Sequence, residues 1–251
     1  MISLGVDIGF SKEVASTGIC VISPGHKQPV RLVHVRTGQT LKAVRHLLQG
    51  ERPTCISIDG PLVPHPKPSS RIYHVINRYR DCERNLSGGI FQKRCKPGPT
   101  NSPRGQALHR QATMVANALR ADHPAARIGE AFPNAFLGVM MPPSIFQRPI
   151  RRGIKSDVFW KFGVRNMILH RLIESLYGNH AERLLGRWHR IDNHDERAAF
   201  VCALTARAHE LGSAVVVPGN RDGEILLPPR AFIQELALSA LANRIPSLSA
   251  A

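Results

Sequence analysis

Acidic residues are scarce in this chain: 18 Asp and Glu stand against 34 Lys and Arg, a net charge of +16 with histidine neutral. Long apolar runs are missing as well. Without some 18 consecutive apolar residues no membrane-spanning helix is expected. The five cysteines (20, 55, 82, 95 and 202) are odd in number and scattered, which points to a reducing compartment and not to a disulfide scaffold. Cys20, Cys55 and Cys202 lie inside apolar runs, where a thiol packs as a small hydrophobe. Residues Met1 to Asp7 lack a basic stretch and reach an acid early, unlike a signal peptide, so a cytoplasmic location is expected. The chain also lacks a phosphate-binding loop ending in Lys-Ser/Thr, a dinucleotide glycine fingerprint, a His-Glu-x-x-His pair and a nucleophile elbow. No nucleotide cofactor is therefore expected.

What is present in excess is positive charge. It attracts polyanions, nucleic acid foremost, although an Arg-rich solvated surface has the same composition. Residues 65–110 hold ten Lys and Arg against Asp81 and Glu83 alone. This stretch is the leading candidate to follow a phosphate backbone, through Arg78, Arg80, Arg84, Lys93, Arg94 and Lys96. A second basic cluster is Arg148, Arg151, Arg152 and Lys155. Cys82 and Cys95, with His74 nearby, match no paired Cys-x-x-Cys zinc pattern.

Three β-rich segments open the chain, at 2–8, 16–23 and 29–36, and their short links predict an antiparallel trio. A helix is expected over 40–49, where Leu41, Val44, Leu47 and Leu48 share a face, and a fourth strand at Cys55 to Ile58. From about 63 to 104 prolines break the regularity into a basic insertion with one expected helix near 71–86. Then come a helix over 105–122, a strand at 126–131, helices over 155–177 and 194–211, a small strand pair at 214–217 and 224–227, and a helix near 230–243. No linker or repeat divides residues 1–251, so a single domain is expected. The order predicts an α/β fold, with a mixed five-stranded sheet and helices on both faces.

Four acids stand at the ends of these elements. Asp7 ends the first strand, Asp59 the fourth and Glu130 the fifth, and Asp195 opens the 194–211 helix. If the three strands are parallel neighbours, their carboxyl ends share the rim where open α/β sheets bind ligands. Converging carboxylates repel, and a hard cation such as Mg²⁺ or Mn²⁺ relieves the conflict. Such a rim on a basic protein has the logic of a metal-dependent nuclease. Each acid alone also reads as an ordinary turn former or helix-start charge.

These residues resemble a known family. Gly5-Val6-Asp7, Thr17-Gly18, Ile58-Asp59-Gly60-Pro61, Arg80-Asp81-Cys82-Glu83-Arg84, Glu130 to Phe136, Asp195 to Thr205 and Asp222 to Pro228 are similar to the predicted ribonuclease-H-like nucleases of domain-of-unknown-function family 429. The resemblance spans nearly the whole chain. It implies a ribonuclease-H-like fold, phosphodiester hydrolysis of DNA or RNA, and divalent-metal ligation by Asp7, Asp59, Glu130 and Asp195. One departure stands out. Where the family often carries an acid directly before Ala on its last helix, this chain has Ala198-Ala199. Two other readings stay open: a nucleic-acid- or partner-binding module without catalysis, and a relative of the sugar-kinase and actin-like ATPases, whose first phosphate loop also reads Asp-x-Gly.

Overall fold

The computed structural model describes residues 1–9, 16–63, 78–95, 97–151, 154–186, 188, 191–219 and 222–248. In chain order the strands and helices are β1 (Ser3–Asp7), β2 (Ser16–Ile22), β3 (Val30–Arg36), α1 (Thr40–Leu48), β4 (Cys55–Asp59), α2 (Asp81–Asn85), α3 (Phe91–Arg94), α4 (Pro103–Asp122), β5 (Arg127–Ala131), α5 (Pro133–Met140), α6 (Lys155–Arg165), α7 (Ile168–Tyr177), α8 (Ala181–Leu185), α9 (His194–Glu210), β6 (Ala214–Pro218), β7 (Glu224–Pro229) and α10 (Glu235–Ala242). The strands form one mixed sheet in the order β3-β2-β1-β4-β5-β7-β6.

The opening trio is antiparallel, and β4 and β5 run parallel to β1, as their helical crossovers require. The sheet has seven strands, not the expected five. The small pair β6–β7 is not a separate hairpin: β7 lies parallel to β5 through Ala131 and Leu226, and β6 closes the edge antiparallel to β7. The reason is the unpaired edge β5 would otherwise present, together with the buried Ile225, Leu226 and Leu227 of β7.

Helices cover both faces. On one, Leu4, Val6, Ile56 and Ile58 pack against Val44 and Leu48 of α1 and Ala112, Val115 and Leu119 of α4. On the other, α9 crosses the sheet with α5, α6 and α7 packed around it. Two glycines permit this crossing. A Cβ on Gly5 would lie 2.1 Å from the Ala199 carbonyl oxygen, and one on Gly18 would lie 2.0 Å from that of Asp195. The small residues of α9, among them Ala199 and Ala203, complete the close approach.

Other departures are local. The expected helix over 155–177 is broken at Met167, which takes a left-handed conformation at φ 58° between α6 and α7. The C-terminal helix begins later than expected, because Ile233 is extended after a single 3₁₀ turn at Arg230–Phe232. Helix α5 carries no polar face to reveal a period, since most of its side chains are buried. Within the expected helix near 71–86, residues 71–77 lie outside the described residues, and 81–85 are helical. Among the described residues no helix is long and apolar enough to cross a membrane.

Candidate metal centre

Strand register decides which acids meet. Asp7 pairs with Asp59 across the parallel β1–β4 ladder, so both side chains leave the same face of the sheet, the face α9 covers. On β5, however, Ala131 pairs with Asp59 and Glu130 pairs with Ile58. Side chains alternate, so Glu130 points to the opposite face. The expected convergence of Asp7, Asp59 and Glu130 is corrected to a pair.

Asp7 and Asp59 hydrogen-bond to each other through their side chains. Burial, then the charges of Asp59 and Asp195, push the Asp7 carboxyl well above its ordinary range. Burial raises Asp59 to about 7 against the opposing hydrogen bond that Asp7 donates to it, and Glu130 adds repulsion. Both shifts favour the protonated form of the pair. Both carboxyls line a narrow cavity of about 40 Å³.

Three helix starts form the rest of that cavity's wall. Helix α5 contributes Pro133 and Asn134, α6 contributes Ser156 and Trp160, and α9 contributes His194, Arg197 and Ala198. The Ser156 hydroxyl lies 3.2 Å from His194 Nδ1. Arg197 donates to Asp157 at 2.9 Å and to the Ile191 carbonyl at 2.7 Å, which holds it beside the cavity over Trp160. The Oδ1 of Asn134 is buried and has no hydrogen-bond partner.

Asp195 is near the pair without lining the cavity. Its carboxylate accepts a short hydrogen bond from the Ser16 hydroxyl, and its backbone N–H is capped by Asn193 Oδ1 at 2.9 Å. Its charge reaches Asp7 all the same. Of α9, His194, Arg197, Ala198 and Val201 line the cavity with the pair.

Glu130 instead belongs to a buried ion-pair network. It accepts from Arg80 at both carboxylate oxygens, one contact at 2.9 Å and one shorter, and from the Leu62 N–H at 3.1 Å. The Arg80 Nε donates to Glu83 at 2.9 Å and Thr100 at 3.1 Å, and its Nη1 to the Asp222 carbonyl at 3.0 Å. Burial opposes the charge of Arg80, but Glu130 and Glu83 outweigh it and hold the guanidinium protonated. Burial also raises Glu130, against the pull of Arg80. The expectation that Arg80 tracks a nucleic-acid backbone is thereby corrected: it ties the insertion to β5 and to the turn before β7.

Arg94 is corrected likewise. It is buried, donates to the carbonyls of Gly138 (3.0 Å) and Met141, and lies 4.4 Å over the Phe146 ring. Arg78 and Lys93 are exposed, and Arg84 is half exposed beside Asp81. Lys96 and His74 lie outside the described residues. Cys82 and Cys95 are buried, and burial raises both thiols, Cys95 to about 12.

Among the described residues no group of three or more His, Cys, Asp or Glu side chains is placed to hold a metal ion. The cavity nonetheless offers the oxygen donors of two carboxylates. That all-oxygen set fits a hard cation such as Mg²⁺ or Mn²⁺ and not a soft one. Asn134, Ser156, Trp160 and Arg197 were not singled out from the sequence. Only Asn134 carried a signal, since it follows Pro133 within the Glu130 to Phe136 motif. Compared with known proteins, the chain matches no family model, no curated protein and no solved structure.

Proposed function

We propose that this protein is a ribonuclease-H-like phosphodiesterase that hydrolyses DNA or RNA with Mg²⁺ or Mn²⁺ held on the Asp7–Asp59 pair. The observation that carries the proposal is the in-register placement of these two carboxyls on one face of the sheet, in the lining of a cavity. The first five strands support the fold assignment: an antiparallel trio followed by two strands parallel to the first. A reducing, cytoplasmic setting accords with the five free, buried cysteines.

Asp7 and Asp59 would hold the ion, which would supply Lewis acidity and an activated water. The chain's own groups supply the rest. The starts of α5, α6 and α9 carry partial positive charge toward the cavity and favour an anionic phosphate there. His194 stands beside Ser156 in the cavity wall. Arg197 keeps a positive charge in the wall, and exposed Arg78, Arg84 and Lys93 draw a polyanion to the surface.

A panel of labelled single-stranded, duplex, hybrid and branched substrates, with Mg²⁺, Mn²⁺ or EDTA, tests the reading. Cleavage with metal, lost in EDTA and in Asp59→Asn, is the expected result. A second reading, a binding module without cleavage, is favoured by one observation: Ala198 lines the cavity at the position where the resemblance implies an acid. Salt-dependent binding with no cleavage at any metal would establish that reading instead.

A further inference from the structure

We propose that the segment running from α5 to α6 is the surface that holds a nucleic-acid strand beside the cavity, with Arg148, Arg151 and Lys155 against its phosphates. The inference rests on the phosphodiesterase reading above and adds the path that the substrate backbone follows.

Charge gives the first argument. From Ala131 to Ser156 the chain carries no Asp or Glu, while Arg148, Arg151, Arg152 and Lys155 crowd its second half. Arg152 lies outside the described residues. Arg148 and Arg151 are exposed, and among the described residues neither has an acid within ion-pair distance. The next acid along the chain, Asp157, is held by Arg197 at 2.9 Å. A cation already neutralised by an acid adds little to phosphate binding. One without an acid partner displaces a counterion condensed on the nucleic acid and gains from its release.

Placement gives the second. The segment leaves the cavity wall at Pro133 and Asn134 and returns to it at Ser156 and Trp160. Helix α5, with eight residues, carries the chain about 12 Å away from the wall. That is the span of roughly three or four phosphates along one strand. Lys155 directly precedes Ser156 of the wall, and the Ile154 N–H donates to the Arg151 carbonyl at 3.2 Å, a turn that brings Arg151 back toward the start of α6. The phosphates flanking one at the cavity therefore fall within reach of these cations.

Rigidity gives the third. Arg94 lies 4.4 Å over the Phe146 ring, which meets Phe159 edge-on at 5.6 Å. At the other end the Lys155 ammonium donates to the Lys93 carbonyl at 2.8 Å. Arg148 and Arg151 stand between these two anchors, so a bound strand need not first order a loose loop. Such contacts position a backbone and carry no sequence preference.

Fluorescence anisotropy of labelled single-stranded DNA, single-stranded RNA and duplex DNA with the full chain in EDTA, over a series of salt concentrations, reads this surface apart from cleavage. We expect Arg148→Ala/Arg151→Ala to weaken binding alike at every sequence. The slope of log affinity against log salt should flatten by about 0.7 per lost contact on single strands and about 0.9 on the duplex. Arg148→Gln/Arg151→Gln should repeat the loss, and both variants, altered only at exposed positions, should melt with the parent. Lys42→Ala/Arg52→Ala removes the same charge from exposed positions on α1, which packs on the opposite face, and before the amino end of β4; it should bind like the parent. A parental slope in the folded Arg148/Arg151 variants, or an equal loss in the Lys42/Arg52 variant, would overturn this surface and leave the phosphodiesterase reading intact. No binding of any strand by the parent would overturn the nucleic-acid reading itself.

Discussion

Asp7 lies directly opposite Asp59 in the parallel ladder between β1 and β4, and their side chains share one hydrogen bond beneath α9. Strand register fixes both residues on the same face of the sheet. Their repulsion is therefore built into the sheet, and it is relieved by a proton, by a cation, or by removing one charge.

Asp7→Asn tests this. The amide keeps the volume and removes a charge, so the metal-free variant should melt at the parent's temperature or a few degrees above. Added Mn²⁺ at a hundred times its Kd should stabilise the parent by about 2.7 kcal/mol and the variant far less. If Asn instead costs about 1 kcal/mol in EDTA and responds to Mn²⁺ like the parent, Asp7 is only a strand-end acceptor.

The pH dependence follows from the same pair. The Asp59 carboxyl is raised to about 7 in the fold, and Asp7 is raised in the same direction. An unfolded Asp titrates near about 3.9, so the folded state binds more protons between the two values. These groups contribute stability at low pH that is lost as pH rises through the folded value. Denaturant melts in EDTA should show this contribution shrinking from pH 5 to pH 8. Mn²⁺ affinity should rise over the same window, as the ion displaces the shared proton. In Asp59→Asn both trends should flatten.

Arg80 and Arg84 sit four residues apart and should behave oppositely. Removing Arg80 leaves Glu83 and Glu130 buried without their cation, so Arg80→Ala should cost about 3–5 kcal/mol in urea melts. Arg84 is half exposed with a loose ion pair to Asp81, and Arg84→Ala should stay within about 0.5 kcal/mol of the parent. Equal destabilisation of the two variants would contradict the buried-network assignment.

Gly5→Ala should push α9 off the sheet. Its methyl would lie 2.1 Å from the Ala199 carbonyl oxygen and 2.2 Å from the Ala203 nitrogen, both backbone atoms that side-chain rotation cannot clear. A destabilisation of about 1–3 kcal/mol is expected. Because α9 carries Ala198 and His194, Mn²⁺ affinity should fall with it. A variant as stable as the parent would show that α9 is not seated by this close approach.

Exchanging the exposed cations Arg78, Arg84 and Lys93 for Ala should weaken duplex DNA binding without regard to sequence. The slope of log affinity against log salt should flatten by about 0.9 for each phosphate that the variant no longer neutralises. An unchanged slope in the folded triple variant would move the nucleic-acid path away from the insertion.

Much of the fold was legible in the sequence because it is written in local periodicity. The β-branched trio, the apolar face of α1 and the alternation of strand and helix each depend on neighbours a few residues away. The strand-end positions of Asp7 and Asp59 were legible for the same reason. Helix α5, with no polar face, and the break at Met167 were not.

What tertiary structure alone decided was the register, and with it the membership of the site. Glu130 reads as a strand-end acid like the others, yet a one-residue offset against Asp59 turns it to the far face and into the hands of Arg80. The same holds for the basic insertion. Its charge is visible in the sequence, but burial separates the structural Arg80 and Arg94 from the exposed Arg78 and Lys93. The sequence determined which residue types were available at the strand ends. Long-range pairing, which fixes the facing direction of every side chain, determined which of them meet.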